Sequence, residues 1–278
     1  MNYLHVLLLA IVQGAAELLP VSSSAHVIVA EKLLGLDPSA PELTFLLVML
    51  HAGTMLAVIQ YFWPRWRDAF FAAPSRRSYA WNLVLATALT GALGLGLKVL
   101  IEKVVLGANP DAEVEHLFKN LPLMAGALAA AGVVILVSGR FDGKGAAPLT
   151  GKSASAIGLV QGLCLPFRGF SRSGATISTG LALGLSRGAA EEFSFALAVL
   201  LTPPVVLLEL RRLVKQHAHF GPELLLPGLA GMALAFVAGA IALRLLSRAL
   251  ETGRFHLFGY YCFGFAAVVL ACHFRLGG

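Results

Sequence analysis

Glu17, Ser23, His26 and Arg172 are the residues of this chain best equipped for chemistry. They stand in two short polar strings, Gln13-Gly-Ala-Ala-Glu-Leu-Leu-Pro-Val-Ser-Ser-Ser-Ala-His26 and Gly169-Phe-Ser-Arg-Ser-Gly-Ala-Thr176, in a sequence otherwise built for lipid. A charged side chain at membrane depth costs roughly 2.5–3.5 kcal/mol on insertion scales, so such residues persist where they pair, line a wet cavity or hold a ligand. Arg172 offers permanent charge and a fork of donors suited to phosphate oxygens. Ser22, Ser171, Ser173 and Thr176 add hydroxyls beside it. A serine, a histidine and a carboxylate next to an anion clamp can run nucleophilic phosphoryl transfer, or equally base-assisted attack by water.

These residues need elements to position them. Of the 278 residues 58% are hydrophobic and only 13% charged, with a mean hydropathy of +0.79. Soluble domains carry about 25% charged residues, so the composition predicts an all-α polytopic membrane protein in one integral domain, 1–278. About six apolar segments approach the length of a span: 43–62, 81–101, 120–138, 190–210, 223–246 and 255–274. The intervals 1–36 and 153–186 differ, because Pro, Gly and Ser divide each into two pieces too short to cross comfortably. Broken helices are tolerated at membrane depth where protein or water satisfies the exposed backbone, so both intervals read as re-entrant helix pairs.

In the first pair, a helix over 3–19 puts Gln13 and Glu17 on one face, Pro20 ends it, and one of Ser22, Ser23 or Ser24 caps a second helix from about His26 to Leu34. If that helix begins early, Ser23 and His26 can face one cavity. In the second pair, Ser171 or Ser173 opens a helix through Thr176 to Leu185. Two helix N-termini meeting in the bilayer form a ready anion site. The intervals also resemble each other: Gln13-Gly14, Leu19-Pro20 and Ser22-Ser23-Ser24 recur as Gln161-Gly162, Leu165-Pro166 and Ser171-Arg172-Ser173. Glu42-Leu-Thr-Phe45 likewise recurs as Glu192-Phe-Ser-Phe195. Three spans separate the copies, which predicts inverted-topology repeats of about 1–101 and 153–246, with 120–138 linking them and 255–274 as a final span.

Plainer readings compete at each position. Ser-rich breaks cap helices, Gln13 could bond a neighbouring helix, and Glu17 with Arg172 could form a buried ion pair without chemistry. His51, mid-span beside Gly53 and Thr54, reads as a satisfied polar residue because no second charge lies nearby in sequence, and His217 and His219 read as solvated. Cys164, Cys262 and Cys272 lack metal-ligand or CxxC spacing and read as small hydrophobes. The N-terminus has no basic n-region, and residues 1–20 read as mature structure. Net charge is +6, but Arg65, Arg67, Arg76 and Arg77, and then Arg140, Lys144 and Lys152, form short topogenic clusters. No basic stripe with interleaved aromatics indicates nucleic acid. Putting loops 64–80, 139–152 and 244–254 in the cytoplasm leaves the acidic loop of Asp111, Glu113 and Glu115 outside, yet the Lys/Arg excess is too small to fix orientation.

Both motif strings, with Glu192-Phe-Ser-Phe195, the length and the order of spans, resemble the undecaprenyl-pyrophosphate phosphatase family of the bacitracin-resistance type. The resemblance implies a bacterial inner-membrane enzyme, its site facing the periplasm, that hydrolyses undecaprenyl diphosphate and so recycles the lipid carrier for peptidoglycan. It also implies membrane-lipid surroundings, often a homodimer, and help from a divalent cation, Mg²⁺ or Ca²⁺. Residue by residue, Glu17 matches the family's second motif glutamate, Ser23 its proposed nucleophile, His26 its motif histidine, and Arg172 its phosphate-binding arginine. Ser173 and Thr176 match its flanking hydroxyls. Gln13 stands where many members carry a first glutamate; an amide oxygen can still join Glu17 on such a cation, more weakly. Phe167-Arg168 separates Pro166 from Gly169 where the common pattern joins them, which either brings Arg168 near the diphosphate or reshapes the break.

One rival stands at the level of sequence, and another is disfavoured. An inverted repeat suits a flippase that moves a lipid phosphate without cleaving it. The acid type of lipid phosphatase needs a histidine at fixed distance after Ser-Arg, which Ser171-Arg172, Ser186-Arg187 and Ser247-Arg248 all lack.

Overall fold

Ten helices carry the described part of the chain. The computed structural model describes residues 2–38, 40–72, 76–105, 120–141, 147–215 and 221–276. The acidic loop of Asp111, Glu113 and Glu115, and also Lys144, His217 and His219, lie outside the described residues. In chain order the helices are α1 (Tyr3–Leu18), α2 (Ser23–Leu33), α3 (Pro41–Arg67), α4 (Arg76–Leu100) and α5 (Leu121–Ser138). There follow α6 (Gly151–Cys164), α7 (Arg172–Ala182), α8 (Arg187–Lys215), α9 (Pro222–Glu251) and α10 (His256–Leu276). Six of them, α3, α4, α5, α8, α9 and α10, are long and apolar enough to cross a membrane, which makes this a multi-pass membrane protein. They coincide with the six apolar segments of the sequence; all but α5, which starts one residue inside its segment, are longer than their hydrophobic runs.

The four short helices occupy the two interrupted intervals, and local chemistry explains their ends. The Asn2 side chain accepts from the Leu4 N–H at 3.1 Å and caps α1. Leu19 is extended, at φ −77° and ψ 150°, as the residue before a proline prefers, so the helix stops there. Ser22 then adopts φ +67°, the one non-glycine residue with positive φ among those described. That conformation costs of order 1–3 kcal/mol, and it turns the chain directly into α2. Consequently α2 starts at Ser23 rather than near His26, and no serine side chain caps it. At α7 the expected cap is present: Ser171 Oγ accepts from the Gly174 N–H at 3.2 Å.

Small residues bring the helices into backbone contact, the usual device where lipid supplies no hydrophobic drive for helix association. Gly14 of α1 lies against Ala235 and Ala238 of α9, Gly158 and Gly162 of α6 against Ala86 and Thr90 of α4, and Gly132 of α5 against Gly259 of α10. Thr90 Oγ1 donates to the Gly158 carbonyl at 2.8 Å and accepts from Gln161 Nε2 at 3.2 Å, fixing α4 on α6. A Cβ on Gly53 of α3 would run into the Met232 carbonyl of α9, whereas one on Gly91 meets nothing within 4 Å. Gly53→Ala should therefore destabilise the fold by about 1–3 kcal/mol, while Gly91→Ala should be neutral or mildly stabilising. Thermal unfolding in detergent checks this, and equal midpoints for the two variants would refute the contact.

Candidate active site

Three helix ends build the site. The C-terminal turn of α1 supplies Glu17, and the N-termini of α2 and α7 supply Ser22, Ser23 and Ser24 on one side and Ser171, Arg172 and Ser173 on the other. With Ala16, Leu19 and Phe170 these residues line a cavity of about 100 Å³, well beyond the space one water requires. Most cavity-facing atoms are polar, in a chain whose helices otherwise face lipid with Leu, Val and Phe.

Glu17 is the hub. Its Oε1 accepts from the Arg172 guanidinium at 3.1 Å, across the gap between the two interrupted segments. Its Oε2 accepts from Ser23 Oγ at 2.6 Å and from Gln13 Nε2 at 3.1 Å. The Ser23 bond has the length of a charge-assisted O–H···O⁻ contact. The motif carboxylate, hydroxyl and guanidinium thus form one connected set. Arg172 has five N–H donors and commits one to Glu17, so the rest of its fork remains for an anion. Gln13 is buried, and its amide serves Glu17 within the same helix.

The other sequence-derived candidates divide. Ser22 and Ser171 line the cavity, but Ser22 Oγ is shared with Ser24 Oγ at 3.2 Å, and Ser171 Oγ is spent on its helix cap. Ser173 also lines it, its hydroxyl directed to the Leu19 carbonyl at 3.4 Å, which ties α7 to the first break. Thr176 is fully buried one turn further on: its hydroxyl donates to the Arg172 carbonyl at 2.8 Å and lies 2.6 Å from Ser194 Oγ of α8. It therefore holds the first turn of α7 in place from behind the cavity wall.

His26 turns away from the cavity, although α2 begins early enough for Ser23 and His26 to share a face. Its ring stacks on Phe265 with centroids 3.6 Å apart and planes 2° from parallel. Nδ1 lies 2.8 Å from the Ser22 carbonyl, which can only accept, so Nδ1 carries the proton. Nε2, 2.8 Å from the Tyr261 hydroxyl, then accepts from it in the neutral ring. Arg168 does not line the cavity either; its charge acts on the buried Glu31 of α2.

Comparisons with known proteins give the chain a family. The model of the family "Bacitracin resistance protein BacA" matches residues 6–268. The chain belongs to the BacA family. It is 59% identical to "Undecaprenyl-diphosphatase 2" of Acinetobacter baylyi over 97% of this chain and 98% of that protein. It is 37% identical to "Undecaprenyl-diphosphatase 1" of Burkholderia pseudomallei, covering 100% of this chain and 97% of the relative. With "Undecaprenyl-diphosphatase" of Desulfosudis oleivorans the identity is 36%, over 97% and 98% of the two chains.

In this BacA-family chain the structure adds a residue that sequence reasoning set aside. His51 of α3 brings Nε2 to 3.8 Å from Glu17 Oε2, while Nδ1 lies 2.8 Å from the Leu47 carbonyl. The available signal was a histidine mid-span; its partner is 34 positions away on another helix, which no local pattern reveals. A second polar chain, missed likewise, links α3, α8 and α9: Tyr61 donates to Ser247 at 2.8 Å and Ser247 to the buried Glu191 at 2.6 Å.

Proposed function

We propose that this chain hydrolyses undecaprenyl diphosphate to undecaprenyl phosphate and inorganic phosphate, returning the lipid carrier to peptidoglycan synthesis. The observation that carries the reading is the 2.6 Å contact from Ser23 Oγ to a Glu17 carboxylate that Arg172 holds from its other oxygen. A nucleophile within hydrogen-bond reach of a base, with the base oriented by a third group, is the recurring arrangement of covalent catalysis. Arg172 and the N-terminal amides of α2 and α7 receive the terminal phosphoryl group. As Ser23 Oγ attacks phosphorus, its proton passes to Glu17, and the bond to the bridging oxygen breaks. The departing lipid phosphate needs no protonation to leave, because its second pKa lies near 6. Water then cleaves the phosphoserine, returning the proton to Ser23 and releasing phosphate. Arg172 serves in both steps by matching charge on the equatorial oxygens.

A divalent cation fits these residues. A multiply charged diphosphate must enter beside the Glu17 carboxylate, against one arginine and two helix ends worth about +0.5 each. Glu17 offers a carboxylate oxygen, and Gln13, whose amide nitrogen now faces that oxygen, presents its carbonyl on a half-turn of the amide. Among the described residues no three His, Cys, Asp or Glu side chains converge, so Gln13 is needed in the donor set. The bound cation, Mg²⁺ or Ca²⁺ by the resemblance, would neutralise phosphoryl oxygens during transfer.

Our reading of the architecture is two inverted repeats, 1–101 and 153–246, each opening with a re-entrant pair. Its support is the matched packing of α1 on α9 and α4 on α6, together with α2 against α10 and α7 against α5. The site on the periplasmic face, and a homodimer, follow from the resemblance.

The test is release of inorganic phosphate from undecaprenyl diphosphate by purified protein in liposomes, with and without chelator, alongside lipid translocation. Phosphate release that chelator suppresses is expected. Translocation without release would replace hydrolysis by transport, the reading that repeat symmetry alone would favour.

A further inference from the structure

We propose that His51 is a ligand of the divalent cation, completing a carboxylate–amide–imidazole set with Glu17 and Gln13 and turning the site toward an ion that accepts nitrogen ligands readily, such as Zn²⁺, over Mg²⁺ or Ca²⁺. The proposal rests on the cation-assisted reading above and concerns residues of this chain that the reading does not use.

Three observations converge on it. First, the Leu47 carbonyl 2.8 Å from Nδ1 can only accept, so Nδ1 carries a proton and Nε2 is the ring nitrogen left to face Glu17. Metal-bound histidines nearly always donate their other ring N–H to a carbonyl or carboxylate, which fixes tautomer and orientation as here. Second, Nε2 faces Glu17 Oε2 at 3.8 Å. That separation is too long for a hydrogen bond, and two bonds of about 2.1 Å to a shared ion span it. A positive charge is what this approach calls for, and a proton on Nε2 or a cation held between the two groups supplies it. Third, the site is short of oxyanions, because Gln13 occupies one end of the motif and Glu17 the other. Mg²⁺ and Ca²⁺ favour all-oxygen shells, whereas imidazole suits later first-row ions. The His51 side chain is 41% exposed, so its free edge is reachable rather than packed in protein.

Glu17 keeps its other duties in this arrangement. Oε1 stays with Arg172 and Oε2 with Ser23, while the Gln13 amide exchanges its N–H on Oε2 for an oxygen toward the ion. His51 thereby links α3 to the broken α1–α2 segment through the ion.

Pulsed electron paramagnetic resonance of Mn²⁺ added to purified protein in nanodiscs tests this directly. Wild type should bind one Mn²⁺ with a nitrogen coupling that changes isotope pattern when the protein carries ¹⁵N-histidine, a measurement that needs no variant. His51→Gln should lose the coupling and bind Mn²⁺ roughly tenfold or more weakly, with a smaller change for Mg²⁺. The proposal is overturned if Mn²⁺ fails to bind, if it binds without histidine coupling, or if the coupling persists in His51→Gln and so belongs to another histidine such as His26. Phosphate release by protein that binds no Mn²⁺ removes the His51 ligand and leaves the phosphatase standing. Mn²⁺ held by His51 without phosphate release does the reverse.

Discussion

Arg172→Ala should lower phosphate release from undecaprenyl diphosphate by at least 10²–10³-fold, the range for removing one preorganised donor from a developing oxyanion. Two roles end together in that variant. The phosphoryl group loses its forked cation, and Glu17 loses the partner on Oε1 at 3.1 Å. Since Glu17 is largely enclosed, its stranded charge will also destabilise the protein, so turnover must be read on material whose thermal midpoint has been measured. Arg172→Lys separates the roles: an ammonium restores charge but not the planar fork, so folding should recover while turnover recovers only in part. Normal turnover in folded Arg172→Ala would remove the guanidinium from the reaction and leave a structural ion pair.

How far such effects were legible beforehand depended on distance along the chain. The six spans follow from composition, and the two breaks from Pro20, Pro166 and their serines, because these signals are local. The convergence of Glu17, Ser23 and Arg172 was also legible, since unpaired charge in a bilayer must find its opposite and few opposites exist. Helix register was not. His26 was expected toward the cavity, but the flat faces of Phe265 and Tyr261 on α10 hold its ring elsewhere. Thr176 was expected to touch phosphate, yet Ser194 and the Arg172 carbonyl take its hydroxyl, so it shapes the turn that carries Arg172. Ser22 was a candidate cap, and instead its positive φ makes the corner that lets α2 begin at Ser23. His51 had no charged neighbour in sequence and has Glu17 in space. Each miss concerns a partner from a distant helix, chosen by rotations of about 100° per residue that apolar patterning barely constrains in a helix surrounded by lipid and protein alike.

The linkage of Ser23 to Glu17 makes a sharper demand on kinetics than either residue alone. If the carboxylate acts by taking the hydroxyl proton, then Ser23→Ala and Glu17→Gln each disable the same step. Each should cost on the order of 10³-fold or more, and the double variant should be about as slow as the slower single one, as happens when residues act as a unit. Multiplying losses would mean separate contributions and would dissolve the nucleophile–base pair. Glu17→Gln is the informative exchange because size and shape are retained while basicity disappears: the single amide oxygen can still accept from Arg172, and the NH2 group then faces Ser23 Oγ as a donor and takes no proton from it. In Ser23→Ala the carboxylate keeps Arg172 and Gln13, and its surviving activity measures direct attack by water on a bound diphosphate. A phosphoserine trapped by acid quench in wild type, and absent in Ser23→Ala, would tie the 2.6 Å contact to a covalent step. If instead wild type yields no trapped phosphate and Ser23→Ala turns over within a few-fold of it, water is the nucleophile and Ser23 only orders the carboxylate that activates it.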